Sequence, residues 1–221
     1  MTGPEASVYD VRFGARERRS KEAVWSEVGR FLQKRYISPT DRVLDIGTDV
    51  GYFIRHVKAA ERWATDIRDT SADMPEEVKF VQADGLALAD VLPNDHFDIA
   101  FMSNYLEHLD SAEHVIEQFR VAHRLLRVGG KVVVLQPNIA LVGGAYWDFI
   151  DHRVALTDKS LVEAATLADF ETREVVRAFL PYSVKGRLPM HAALVRAYLA
   201  FRPAWRLLGK QTLYVGERRS R

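Results

Sequence analysis

Val43-Leu44-Asp45-Ile46-Gly47-Thr48-Asp49-Val50-Gly51 is the stretch from which the rest of the chain is read. Arg42 to Ile46 is a short apolar run with the look of a buried strand, and it ends in a glycine turn. A helix is expected next, over about 52–60. Gly47 lets the backbone come close to a bound group, because no Cβ intervenes. In open α/β sheets, ligands bind at this edge, where the strand's carboxyl end meets the turn.

Working outward, strand patterns recur at 62–67, 78–82, 97–102 and 131–136. A helical pattern lies at 112–126, followed by a turn at 127–130. Beyond Asn138 the spacing predicts a helix over 160–168, with Ser160 as N-cap and Glu163 in capping-box spacing. It also predicts a strand at 170–180, a helix at about 191–200 and a strand at 211–215. Upstream, Ala23, Val24, Val28, Phe31 and Leu32 mark an amphipathic helix over 21–35, and Ser38 to Asp41 reads as a turn. Residues 1–20 are rich in Arg, with Tyr9 and Phe13 placed to dock. Strand and helix alternate, which predicts an α/β fold with helices on both faces of a mostly parallel sheet. One domain is expected: an N-terminal arm and helix (1–40), a ligand-binding core (41–136) and C-terminal elements (137–221).

The chain has 221 residues, enough for one core and short for two. Its 31 basic and 30 acidic residues nearly balance, unlike a dedicated nucleic-acid binder. It has no cysteine, which excludes disulfides, thiolate nucleophiles and zinc–thiolate centres. No metal site is expected. No apolar run approaches the roughly 20 residues that span a membrane, and the start lacks a secretory pattern. A cytoplasmic location is the expectation.

The glycine turn carries a charge signature. A dinucleotide site reads Gly-x-Gly-x-x-Gly and presents a helix N-terminus to a diphosphate. Here the pattern is Asp-x-Gly-x-Asp-x-Gly, and two carboxylates repel a diphosphate. They suit a ligand with a cationic amino-acid end, such as the ammonium and sulfonium of S-adenosylmethionine (SAM). Asp66 lies 21 residues after Asp45, where an acid is placed to accept from both ribose hydroxyls. Ile67 follows it. Asp84, before Gly85, is placed to accept from the adenine amino group, with an Asx turn as the plain structural alternative. Ser103 and Asn104 follow the fourth strand, below the methionine part. The candidate cofactor residues are therefore Asp45, Gly47, Asp49, Gly51, Asp66, Ile67, Asp84, Gly85, Ser103 and Asn104.

From Val43 to Gln136 the chain resembles the class I SAM-dependent methyltransferases, in the broad group of UbiE/UbiG-like small-molecule enzymes. The resemblance is carried by Val43 to Gly47, Asp66, Ala83-Asp84, Phe97-Asp98, Leu106-Glu107-His108-Leu109 and Leu125 to Gly130. The 143–152 and 179–182 segments resemble a narrower bacterial branch that accompanies sugar or polysaccharide biosynthesis. The resemblance implies a Rossmann-like seven-stranded sheet of order 3-2-1-4-5-7-6 with strand 7 antiparallel, and S-adenosylhomocysteine as product. One departure stands out. The family has Gly where this chain has Asp49, so that side chain must point away from SAM or meet its amino group.

The acceptor is sought beyond the fourth and fifth strands. His108 follows the floor segment. Tyr146, Trp147, Asp148, Asp151 and His152 lie in an irregular aromatic loop of the kind that carries specificity. Tyr146, Trp147, Asp148 and Tyr182 are candidate acceptor contacts. Asp151 and His152 are candidates for an orienter-and-base pair, since imidazole titrates near neutral pH. The expected acceptor is a small molecule or glycan, methylated on a hydroxyl. An RNA methyltransferase and a non-catalytic SAM-binding partner protein are the alternatives. The chain has Ser103-Asn104-Tyr105-Leu106 where nucleic-acid enzymes carry an Asn/Asp-Pro-Pro-Tyr/Phe motif. An oxidoreductase using NAD is a more distant one. Lys185, Arg187, Arg196, Arg202, Arg206 and Lys210, interleaved with Tyr198, Phe201 and Trp205, suit an anionic acceptor, peripheral contact with an anionic membrane, or a solvated amphipathic face.

Overall fold

The computed structural model describes residues 15–182 and 191–220. Tyr9, Phe13, Lys185 and Arg187 lie outside them. The glycine-turn strand is β1 (Arg42–Ile46), and it sits in the middle of a seven-stranded sheet. In chain order the others are β2 (Glu61–Asp66), β3 (Val78–Gln82), β4 (Phe97–Ser103), β5 (Leu126–Pro137), β6 (Phe170–Leu180) and β7 (Gln211–Arg218). The spatial order is β3-β2-β1-β4-β5-β7-β6. β1 to β5 pair in parallel, and β7 runs antiparallel between β5 and β6. Fold and order are as expected.

Side chains alternate across β1 and β4, so the central strands feed two cores. Leu44, Ile46, Ala100 and Met102 face one core, with Phe119 and Val132. Val43, Ile99 and Phe101 face the other, with Val28, Leu32 and Val133. Burial on both faces explains why these strands read as unbroken apolar runs. Helix α1 (Ala15–Tyr36) covers the second core, together with the C-terminal helices numbered below. Next come the short α2 (Leu88–Val91) and then α3 (Ala112–Leu125), whose Val115, Phe119 and Ala122 cover the first core. The remaining helices are α4 (Ile139–Val142), α5 (Asp158–Leu167), α6 (Ala192–Ala200) and α7 (Arg202–Leu208).

Four sequence expectations are corrected. The helix over 52–60 is only a 3-10 turn at Ile54–His56, followed by extended Val57. Gln33 on α1 stops it: its side chain binds the N–H of Lys58 at 2.6 Å and its carbonyl at 3.0 Å. Residues 127–130 are not a turn outside the sheet but the bulged start of β5, where pairing jumps between Phe97 and Ile99. Ser160 is not the N-cap of α5. Thr157 is, and Ser160 is the third-position partner in a reciprocal capping box. Finally, α1 is longer than 21–35.

Candidate active site

The turn after β1 has the backbone that its glycines foretell. Gly47 and Gly51 have φ +69 and +76, the left-handed region where other residues are strained. Asp49 shares that region at φ 52, so it holds a glycine conformation with an acidic side chain. That side chain turns to Arg68, 2.9 Å from its guanidinium. The Asp49 N–H donates to Asp66 at 2.9 Å. Arg68 also donates to Asp66, through its backbone N–H at 3.0 Å and its side chain at 3.2 Å. Burial works against the Arg68 charge, but Asp49 and Asp66 outweigh it and hold the guanidinium above its ordinary pKa.

Asp45 is buried, 3 % exposed, and accepts from the Thr48 hydroxyl at 2.6 Å. Burial pushes its carboxyl up to about 7 against that hydrogen bond, and the charges of Asp66 and Asp49 add to the rise. A carboxylate placed beside like charges in low dielectric is a standing demand for a cation. This fits a ligand with an ammonium and a sulfonium and does not fit a diphosphate. Asp66 has three hydrogen bonds from protein on a group with about four acceptor sites, which leaves capacity for a hydroxyl. Ile67 is 60 % exposed beside it, an apolar surface at the cleft edge.

Asp84 accepts from the Leu86 N–H at 2.9 Å, so the Asx turn exists and uses one of its oxygens. Tyr105 joins the segments. A Cβ on Gly47 would fall 2.4 Å from its ring, and one on Gly85 only 1.9 Å from its hydroxyl. Only glycines let the ring lie across both turns. The Tyr105 hydroxyl donates to Gln118 at 2.8 Å. Burial raises its pKa, and the charges of Asp84 and Asp66 raise it further. Asp45, Asp66 and Asp84 thus lie at the carboxyl ends of the neighbouring strands β1, β2 and β3, with Tyr105 packed against the turns after β1 and β3. Asn104, at φ 47, follows Ser103 and donates to its hydroxyl at 3.0 Å.

The aromatic loop returns to the same edge. The Glu107 carbonyl accepts from the N–H groups of Arg153 and Val154 at 2.8 and 3.1 Å. Asp151 meets His108, whose Nδ1 lies 3.1 Å from the Asp151 carbonyl and 3.5 Å from its carboxylate. Asp151 therefore orients His108, a contact the sequence did not foresee. The two imidazoles stand edge to face with centroids 5.1 Å apart. Glu107 is buried, 1 % exposed, and accepts from the Gln136 amide at 3.0 Å. Burial raises its pKa, with the His108 ring pulling the other way.

Tyr146 is corrected from acceptor contact to core. It is 0 % exposed, donates its hydroxyl to the Val154 carbonyl and backs the His152 ring at 4.8 Å. Trp147 and Asp148 are exposed, as is Ile150. Tyr182 packs edge-on to Phe149 at 6.0 Å.

A family model described as a methyltransferase domain matches residues 15–175. The chain belongs to this methyltransferase family. Solved structures agree on the fold. A SAM-dependent methyltransferase from Archaeoglobus fulgidus has TM-score 0.64 and 18% identity, over 96% of this chain and 99% of that one. One from Mesorhizobium loti has TM-score 0.62 and 20% identity, over 87% and 98%. A geranyl diphosphate C-methyltransferase from Streptomyces coelicolor A3(2), solved with Mg2+, geranyl diphosphate and S-adenosyl-L-homocysteine, has TM-score 0.60 and 14% identity, over 86% and 78%. No protein of curated function matches by sequence. The expectation of SAM as the methyltransferase's cofactor is borne out at the level of family and fold.

Sequence reasoning missed Arg68, whose only signal was its place two residues after Asp66. It also passed over Glu107, which it treated as a neighbour of His108, and Tyr105. The basic aromatic stretch is largely used inside the methyltransferase. Arg196 pairs with buried Glu27 at 2.8 Å, Trp205 packs on Phe31 and Phe179, and the Tyr198 hydroxyl donates to the Phe179 carbonyl. Phe201 and Leu207 stay exposed. Among the described residues, no helix is long and apolar enough to cross a membrane.

Proposed function

We propose that the chain transfers the methyl group of SAM to a hydroxyl of a small molecule or glycan, held between the end of β4 and the 143–152 loop. The observation that carries this is the continuity of two regions. Asp45, Asp66 and Asp84 lie at the carboxyl ends of β1 to β3, and the chain leaves the neighbouring β4 through Ser103 and Asn104 to His108, against which Asp151 and His152 stand. SAM supplies a methyl carbon on a sulfonium leaving group, so the protein's task is to hold and orient the acceptor.

In this reading Asp45 and the turn from Gly47 to Gly51 receive the cationic amino-acid end. Asp66 takes the ribose hydroxyls, and Ile67 lies along the adenine. Asp84 and Gly85 read the adenine edge, and Ser103 and Asn104 form the floor. Asp49 acts through Arg68, which it keeps beside Asp66. Exposed Trp147 offers a flat face for a sugar or another ring, with Asp148 and Tyr182 as polar contacts. His108 and His152 face the hydroxyl and set its proton's fate, and Asp151 fixes the His108 ring. The near balance of 31 basic and 30 acidic residues suits a small neutral acceptor better than RNA.

The test is transfer from methyl-labelled SAM to a panel of hydroxylated acceptors, with SAM affinity measured by calorimetry. His152→Ala should abolish transfer and leave SAM affinity intact. Unchanged turnover removes His152 from the mechanism. SAM binding without transfer to any acceptor returns the non-catalytic alternative, and no SAM binding refutes the reading.

A further inference from the structure

We infer that Glu107, His108 and His152 form a binding site for one divalent first-row cation. One ligand atom from each lies within 4.8 Å of the others. Small side-chain rotations bring such a set to the roughly 2 Å reach of a metal–ligand bond.

The ligand set is one carboxylate and two imidazoles. It suits Zn2+, Mn2+, Fe2+ or Co2+ and disfavours Mg2+ and Ca2+, which take oxygen ligands. His108 and Glu107 have outer partners of the kind that aim metal ligands. Nδ1 of His108 faces the Asp151 carbonyl at 3.1 Å, so the proton sits on Nδ1 and Nε2 presents its lone pair. Gln136 donates to Oε2 of Glu107 at 3.0 Å and fixes the carboxylate's orientation. Tyr146 and Phe149 pack against the His152 ring at 4.8 and 5.2 Å and fix its plane. Burial also favours a cation. Among the described residues, no Lys or Arg is paired with Glu107, although it is 1 % exposed, and a buried carboxylate costs several kcal/mol unless neutralised. The backbone assembles the site, because the Glu107 carbonyl holds Arg153 and Val154 beside His152.

Its role rests on the methyl transfer proposed above. The cation would hold the acceptor hydroxyl and lower its pKa. The O–H proton passes to solvent and the oxygen bonds the methyl carbon. The carbon–sulfur bond breaks with its electron pair going to sulfur, which leaves as a neutral thioether. The cation keeps its oxidation state.

The test reads metal binding, not methylation. Chelator-stripped full-length protein is titrated with Co2+ while its visible d–d absorption is followed, with Zn2+ as competitor. One equivalent should bind and be displaced by Zn2+. Glu107→Gln, His108→Ala and His152→Ala should each weaken Co2+ by more than the roughly 10–100-fold of an outer-partner change. SAM affinity measured on the same samples should stay unchanged, which shows that the variants fold. No saturable absorption in the wild type, or equal Co2+ affinity in Glu107→Gln and His152→Ala, overturns the site. If one variant does not fold, His108→Ala decides, and unchanged affinity there also overturns it. Lack of SAM binding would sink the methyl-transfer reading and leave the metal result standing.

Discussion

Asp45→Asn should make the protein more stable and a poorer SAM binder, and the gain in stability should grow with pH. In the folded chain the Asp45 carboxyl titrates near 7, against about 3.9 in an unfolded chain. Its favourable contribution is complete below about pH 4 and is lost as pH rises through 7. A shift of about 3 units costs ~4 kcal/mol of stability at pH 8. Asparagine removes that cost and keeps an acceptor for the Thr48 hydroxyl, though a neutral one weaker by about 1 kcal/mol. The net gain should be about 3 kcal/mol at pH 8 and below about 1 kcal/mol at pH 4. Urea denaturation of both proteins from pH 4 to 8 measures it. SAM affinity should fall about 10–100-fold in the variant, the worth of one charge-assisted contact. In the wild type it should rise from pH 6 to 8 as the carboxyl ionises. A stability difference that does not change with pH, or a variant no more stable at pH 8, would refute the reasoning.

Asp49→Gly relieves the left-handed backbone and loses the Arg68 pair, two terms of about 1 kcal/mol each that nearly cancel. Asp49→Ala keeps the strain and loses the pair, so it should be about 1 kcal/mol less stable than Asp49→Gly; equal urea midpoints would contradict this. Tyr146→Phe strands the partly buried Val154 carbonyl and should cost about 1 kcal/mol, with faster hydrogen exchange in the 143–154 loop. A silent substitution would show that the hydroxyl does not hold the loop. Thr157→Ala removes the cap of α5 and should cost about 1 kcal/mol in thermal melting, whereas no loss would mean that the capping box is idle.

The sheet was legible because its signals are local. Val43-Leu44 and Val132-Val133-Val134 are β-branched or aliphatic runs of strand length, each bounded by turn residues. The cleft acids were legible because sequence spacing from a strand end fixes their place at the sheet edge. What stayed hidden depends on contacts between distant residues. The failed helix at 52–60 was unreadable because Gln33, 25 residues away, takes the backbone of Lys58. The fate of Asp49 depended on Arg68, which meets it only after β2 has paired with β1. Tyr146 looked like an acceptor ring because nothing in an irregular aromatic stretch marks which ring turns inward. The Thr157 cap was overlooked because its box closes on a serine, Ser160, where a glutamate was sought.

The Ile139 N–H donates to the Leu156 carbonyl at 2.9 Å, so the excursion that carries Trp147, Asp151 and His152 leaves and rejoins the body of the protein at one clasp. Such a segment behaves as a cassette. Its tip can be lengthened, shortened or exchanged while the clasp keeps β5 and α5 in place, because closing a longer loop costs little. Under the function proposed above, a change of acceptor would then be a matter of re-cutting 143–152, with Asp45, Asp66 and Asp84 left as they are.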